Sequence, residues 1–559
     1  MIFLIIFGFT ERYAIFAIND DSVIERILSG RYSSEANSIV SFMTFLLGKS
    51  LSVLYSLFGT NYSWYGFFLL TINFLIGVAI IRLGSLDKKS YNIWIAILAL
   101  VLITPFNILT PTYTVTSILS CGVGIIGLIY ALVRNARYTE IIFYVLLISV
   151  GFLIRPEALV GTVAILFPIC VFYLFFNKDL LNKAKAFVSL SGILTFITSL
   201  QIVQSLMFNR FFNTNSLIAE YLSFQSVRHE IFYTPALLKL HQAVISKDDL
   251  AGIWSNVDFI LLRNWGYADL KVYSYENFQI GRDFVSGFVG FSGLLQSDLM
   301  TTIQGINQAL IELFLLLTIV LGVLISFFLF YKFGIKNKIM FTVIVFSYFC
   351  SFYYMVATLR LPFRIVFPYL VLFLISMFFF EKLLRNKTYR FYVRSSLVAF
   401  VVLQVLVLQL NSDLGLIGVL NSNREKFDIA KKRDFELLQS IDSGTFVGPI
   451  SYLPVATQGV YFSNLKWESG NRTLALDWST FSPSWRLTAR NLELDSMNVY
   501  NSLATKKNVF WVSDAYLAEI LNYYMNDRNI YRGKLCSVLK LSGKDNAEVF
   551  TFQAKETDC

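Results

Sequence analysis

Three short stretches of this chain hold residues whose types and spacing could do chemistry. Asn19-Asp20-Asp21 sets two carboxylates side by side. Such a pair can share a divalent cation, or one member can act as a general base while the other orients an acceptor. The same residues also make an ordinary acidic start to a helix, where carboxylates are favoured. Arg155-Pro156-Glu157 interrupts a long apolar region, where an ionisable group is costly unless it pairs, snorkels or lines a cavity. It can equally mark a turn at a water interface. Arg360-Leu361-Pro362-Phe363-Arg364 places two guanidinium groups in one short turn between apolar runs. Guanidinium forks bind phosphate in bidentate fashion and stay charged at any relevant pH. A substrate phosphate, a lipid headgroup, or an ion pair with Asp20 or Glu157 would each answer that need.

Other chemistries find little support. The two histidines, His229 and His241, are too far apart in sequence for a paired metal motif, and no glycine-rich phosphate loop is present. The formal charge of +10 does not imply nucleic acid, because Lys and Arg fall in short loops between apolar runs and form no single basic face. Of five cysteines, Cys121, Cys170 and Cys350 lie in apolar stretches without ligand spacing. Cys536 and Cys559 lie in the carboxyl-terminal tail, where a disulfide is chemically allowed if the tail is outside the cell.

The elements that must position these groups are set by hydropathy. With 56% hydrophobic and 15% charged residues and a mean hydropathy of +0.60, the composition is that of a chain solvated by lipid. The 54 Phe and 30 Tyr suit acyl tails and aromatic interface belts. Apolar runs near the length that spans a bilayer fall at 64–81, 113–133, 157–176, 186–208, 308–331, 339–357, 365–380 and 395–410, with shorter ones at 92–107 and 140–154. Residues 1–18, which carry Glu11 and Arg12, read as the remnant of a first helix whose start lies upstream, and lack the basic leader and cleavage site of a signal peptide.

Basic residues then assign sides. Arg82, Lys88 and Lys89, then Arg134 and Arg137, the lysines at 178–185, the lysines at 332–338, and the cluster from Lys382 to Arg394 occupy alternate loops, which the positive-inside rule makes cytoplasmic. About eleven spans follow, with the amino terminus inside. Residues 19–63, the turns near 107–111, 155–157 and 360–364, the segment 209–307 and the tail 411–559 face outward. The expected architecture is an all-α polytopic membrane bundle over 1–410, including the outer loops 19–63 and 209–307. A small extracytoplasmic α/β domain over 411–559 follows it. The 209–307 segment contains an amphipathic piece at 216–228, and the tail opens on a charged helical stretch at 424–440 before short apolar runs such as 509–512.

Several of these pieces together resemble a bacterial family of GT-C-type membrane proteins related to lipid-linked-sugar glycosyltransferases. They are Asn19-Asp20-Asp21 with Ile27-Leu28-Ser29-Gly30, Leu54-Tyr55, Trp64-Tyr65, Tyr113-Thr114 and Ile154-Arg155-Pro156-Glu157. Further on come Ser255-Asn256-Val257-Asp258 with Trp265 and Asp269, and Leu361-Pro362-Phe363-Arg364-Ile365-Val366. The resemblance covers the chain to about residue 366 and matches the tail only loosely. It implies that the acidic motif of the first outward loop, here Asp20 and Asp21, supplies a catalytic base or metal ligands. It also brings Glu157, Asp258, Trp265 and Asp269 into view as substrate contacts. The short first helix and Glu35, where a less acidic loop is expected, depart from the pattern.

The expectation is transfer of one sugar from a polyprenyl-phosphate donor to an envelope glycan or lipid-linked acceptor, on the outer side of a bacterial inner membrane. Asp20 or Asp21 serves as base, and Arg360 and Arg364, with Arg155, bind the lipid phosphate. A divalent cation at the acidic pair is compatible but not required, and membrane lipids are the remaining partners. Two rivals stand beside it: an oligosaccharide polymerase or ligase, and a non-catalytic transporter of lipid-linked glycans.

Overall fold

The computed structural model describes residues 16, 19–31, 36–85, 110–133, 136–176, 180–212, 215–232, 253–285, scattered positions between 339 and 376, 430–453 except 442, 472–541 and 547–554. The expected spans at 92–107, 308–331 and 395–410 lie outside these residues, as do Arg360 and Arg364.

The amino-terminal half is helical: α1 Asn19–Ser29, α2 Phe45–Phe58, α3 Trp64–Ser85, α4 Tyr113–Val133, α5 Tyr138–Ile154, α6 Pro156–Phe176 and α7 Leu180–Phe212. Within α3 and α4, Trp64–Leu83 and Tyr113–Leu132 are long and apolar enough to cross a membrane, and α5 is a shorter apolar helix. Helices α4 and α5 approach closely because glycines line their contact. A Cβ at Gly151 would stand 2.5 Å from Cys121 Sγ, and one at Gly124 would stand 2.7 Å from Ile148. Small residues of this kind let helix backbones meet where lipid offers no hydrophobic drive.

Helices α5 and α6 are joined by a single residue. Pro156 has no amide hydrogen to lose at the first helical position and drives the residue before it out of the helical region. Arg155 accordingly takes φ −156° and ψ 102°. A carbonyl freed at this break is satisfied from a neighbouring element: Leu153 O accepts the Thr44 amide at 3.1 Å and the Thr44 hydroxyl at 2.8 Å. Gly151 O, which keeps its bond from the Arg155 amide at 3.0 Å, also accepts from the Ser117 hydroxyl at 2.7 Å. At the opposite end of these helices, Arg82 of α3 pairs with buried Glu140 of α5 at 2.8 Å.

The outer segment contributes α8 Ser216–Phe232, α9 Asn256–Arg263 and α10 Tyr275–Val285. The tail holds α11 Ala430–Gln439, β1 Thr445–Pro449, β2 Arg472–Leu476, α12 Pro483–Asn491, α13 Val499–Thr505, β3 Val509–Ser513, α14 Ala515–Asp527, β4 Gly533–Lys540 and β5 Glu548–Ala554. Its sheet runs β2-β1-β3-β5-β4. The first three strands are parallel and β5 is antiparallel to both β3 and β4. Helix starts are fixed by side-chain caps: Ser482 accepts from the Trp485 amide and Asp514 from the Leu517 amide. Cys536 is disulfide-bonded; Cys559, the other tail cysteine, lies outside the described residues.

Strand alternation explains where the sheet sits. Val447, Leu474, Leu476, Trp511 and Phe550 pack into one core with Phe224, Phe259, Tyr267 and Phe278 of the outer segment. Phe446, Ala475, Val512 and Val549, one residue out of phase, pack into a second core with Val23, Ile24, Ile27, Leu28, Tyr65, Tyr113 and Ile154. The sheet is thus covered on both faces. It joins the outer segment to the end of the helical half where α1, the start of α4 and the end of α5 meet.

Candidate functional site

The carboxyl ends of the parallel strands β1, β2 and β3, where open α/β sheets bind ligands, carry Ile450, Leu453 and Trp478 into the core shared with α1. The site is best built from α1 outward. Asp20 and Asp21 occupy its first turn, where the helix dipole favours negative charge. Asp21 is fully buried and Asp20 is half-exposed. Asp21 Oδ1 accepts from the Tyr65 hydroxyl at 2.6 Å and from the Tyr113 amide at 3.0 Å. The second of these is a first-turn amide that α4 itself cannot pair, so Asp21 also caps that helix from outside its own chain segment.

Arg155 reaches the same helix start. Its Nη1 donates to Thr114 Oγ1 at 2.9 Å and its guanidinium lies 5.4 Å from the centre of the Tyr113 ring. Glu157 is 3.7 Å from Arg155 with its side chain 74% exposed, a loose surface pair of small energetic weight. Arg155 is also within electrostatic reach of the Tyr369 hydroxyl, whose approach to α6 depends on Gly161, where a Cβ would stand 2.7 Å from that oxygen.

Three groups here were not singled out by sequence reasoning. Glu25, four residues after Asp21 on α1, is buried, 3.4 Å from the Tyr55 hydroxyl and 3.8 Å from Arg31. Burial raises its carboxyl, with Arg31 and Arg26 opposing. The Tyr55 hydroxyl in turn accepts the Tyr65 amide at 3.0 Å, so Tyr55 and Tyr65 fix the two buried acids of α1, Glu25 and Asp21. Asp477, in the turn after β2, is buried as well; burial, then the facing Asp20, push its carboxyl up to about 6, against hydrogen bonds from Ser479. Trp478 meets Phe42 at 5.0 Å between ring centres, and Phe42 stacks on Tyr113 at 5.8 Å.

The remaining expected contacts are held elsewhere. Asp258 forms a capping box with Ser255 at the start of α9 and pairs with Arg528 at 2.6 Å. Asp269 Oδ2 accepts from Asn498 at 2.8 Å and from Tyr524 at 2.9 Å. Burial and Asp269 push the Tyr524 phenol up, keeping it a donor. Trp265, at φ 62°, lies 5.2 Å from the Arg228 guanidinium and borders both cores. These three residues bind the outer segment to the tail, and none contacts Asp21 or Arg155 in any described interaction. Among the described residues no group of three or more His, Cys, Asp and Glu could hold a metal ion. A cation at this site would rest on Asp20 and Asp21 with further ligands from outside them.

No protein-family model matches the chain, and no curated protein matches it. Among solved structures it is similar to the crystal structure of ArnT from Cupriavidus metallidurans in the apo state. That likeness covers 98% of this chain and 96% of the other, at 9% identity and a TM-score of 0.40. Likeness at that level carries neither activity nor substrate to this chain.

The arrangement places one buried carboxylate and one guanidinium on a single helix start, with the half-exposed carboxylate of Asp20 next to the first in sequence. A hydroxyl could lose its proton to the accessible acid there while an anion is held beside it.

Proposed function

We propose that this chain transfers one sugar from a polyprenyl-phosphate donor to an envelope glycan, at the outer face of a bacterial inner membrane that its helices span. The observation that carries this reading is the convergence of Asp21 and Arg155 on consecutive residues, Tyr113 and Thr114, with Asp20 half-exposed beside them. The apolar side chains exposed along α3, α5, α6 and α7, among them Phe67, Ile142, Leu146, Phe167, Leu194 and Leu206, support a lipid surrounding, since soluble chains rarely leave so much apolar surface open.

In this reading Asp20 is the base and Asp21 the residue that positions it. The acceptor hydroxyl gives its proton to the Asp20 carboxylate as its oxygen bonds to the anomeric carbon of the donor sugar. The bond from that carbon to the phosphate oxygen breaks with its electron pair, inverting the centre and releasing polyprenyl phosphate. A base within hydrogen-bond reach contributes roughly 10² to 10⁴-fold. Arg155, with Arg360 and Arg364, meets the charge developing on the leaving phosphate.

Binding of undecaprenyl phosphate to the purified full chain, followed by native mass spectrometry, tests the donor side. Arg155→Ala, Arg360→Ala and Arg364→Ala should each weaken it while the protein still accumulates and melts as a folded chain. If those variants bind it like the parent, the arginines serve another purpose and the donor assignment goes.

A further inference from the structure

The turn that follows β2 is held in an unusual way. Backbone oxygens of Asp477 and Trp478 are taken up by the outer segment: the Tyr267 hydroxyl donates to Asp477 O at 2.9 Å, and Gln225 Nε2 donates to Trp478 O at 2.5 Å. Asp477 Oδ1 accepts the Ser479 amide at 2.5 Å. Two side-chain atoms remain. Asp477 Oδ2 and Trp478 Nε1 are both buried and make no hydrogen bond among the described residues. Both residues are only 2% exposed.

A buried acceptor and a buried donor on adjacent residues, each left unmade, are costly to a fold unless something outside the chain completes them. One is an acceptor only and the other a donor only. A ligand with several hydroxyls can meet both needs, one hydroxyl donating to the carboxylate and one accepting from the indole. Beside them the Trp478 and Phe42 rings, 5.0 Å apart, offer apolar faces to the C–H groups that such a ligand carries between its hydroxyls. Phe42 is only half-buried, so its displacement would open the pair toward α1. Burial raises the Asp477 carboxyl and Asp20 on α1 adds to that rise, which fits a side chain on the Asp20 side of the turn.

We infer that the turn at 477–480 is the recognition subsite for the carbohydrate acceptor, with Asp477 and Trp478 as its polar contacts and Phe42 as its apolar wall. This deepens the transfer reading and rests on it. The tail domain thereby supplies one side of the site instead of serving as an appended module.

The test uses the full chain in detergent, labelled with 5-fluorotryptophan, and fluorine NMR of its eight tryptophans. A panel of methyl glucosides, galactosides and mannosides is titrated in, and undecaprenyl phosphate separately. At least one methyl hexoside should shift the resonance that is missing in Trp478→Phe, and Asp477→Asn should weaken that response about tenfold. If Trp478→Phe fails to accumulate, the resonance is assigned by elimination with single Trp→Phe variants at the other seven positions. The inference is overturned if no hexoside moves that resonance, if a different tryptophan responds, or if Asp477→Asn binds as tightly as the parent. A response to undecaprenyl phosphate with none to hexosides removes this subsite and keeps the donor reading. The reverse result keeps the subsite and removes the donor.

Discussion

Asp21 and Arg155, from distant parts of the chain, are fixed to neighbouring residues of one helix start, Asp21 on the Tyr113 amide at 3.0 Å and Arg155 on the Thr114 hydroxyl at 2.9 Å. The opposite charges are thereby held in register by consecutive residues at the start of α4. Arg155 keeps a partly exposed guanidinium, while Asp21 is closed off from solvent. Each then depends on the groups that hold it.

The two acids of α1 should respond differently to the same change. Asp21→Asn disturbs a buried acceptor of two hydrogen bonds and should cost stability of about 1–3 kcal/mol, read as a lower melting temperature. Asp20→Asn, at a half-exposed position, should melt within about 0.5 kcal/mol of the parent while sugar transfer falls. Equal thermal losses in both would mean that the pair acts as a single structural cap.

Tyr65→Phe removes the hydroxyl that donates to Asp21 at 2.6 Å and leaves the ring in place. The expected loss is about 1–3 kcal/mol, toward the upper part because the acceptor is charged and buried. Chemical denaturation of the full chain checks it, and an unchanged midpoint would mean that the contact contributes nothing.

Asp477 gives a pH signature. Its folded-state carboxyl at about 6 stands above the ordinary aspartate value near ~3.9. Between those values the folded chain holds a proton that the unfolded chain releases. Its relative stabilisation is therefore present below about pH 4 and lost as pH rises through about 6. Asp477→Asn does not titrate, so its stability, read from the melting temperature, should gain on the parent across that window by an amount on the order of 3 kcal/mol. A gap that stays constant from pH 4 to pH 7 would show that Asp477 is not perturbed.

Asp258 and Asp269 separate positioning from substrate contact. Arg528→Met leaves the fully buried Asp258 without its ion-pair partner and should destabilise by about 1–3 kcal/mol, less than for a fully buried pair because Arg528 is partly exposed. Asp269→Asn should act through stability too, by disturbing the acceptor shared by Asn498 and Tyr524. Michaelis constants measured on whatever folded fraction remains should match the parent; a raised Michaelis constant at parental stability would return these residues to the substrate.

How much of this was legible in the sequence follows from the range of the forces involved. Helices α4 and α6 were readable nearly to the residue, because an uninterrupted apolar run ends where Thr112 or Pro156 begins it and polar residues close it. The Arg155 break was readable for a local reason, the proline after it. The sheet order was not, since the pairing of β1 with β2 and β3 joins residues far apart in the chain whose alternation says which face is buried but not against what. The role of Asp258 was partly visible: Ser255 three residues before it is the spacing of a capping box, which speaks for a helix start. Glu25 had a faint signal as well, four residues after Asp21 on a helix whose buried apolar positions are Val23, Ile24, Ile27 and Leu28. Asp477 had none, because a lone aspartate after a short apolar run gains meaning only when the fold sets it against α1.

The most direct test of the central claim is mass spectrometry of envelope glycans from cells carrying the parent chain or Asp20→Asn, with protein level and melting temperature measured alongside. The account predicts glycans lighter by one sugar residue when the folded Asp20→Asn protein is the sole copy. Glycans of unchanged mass from cells whose variant protein is fully folded would contradict it.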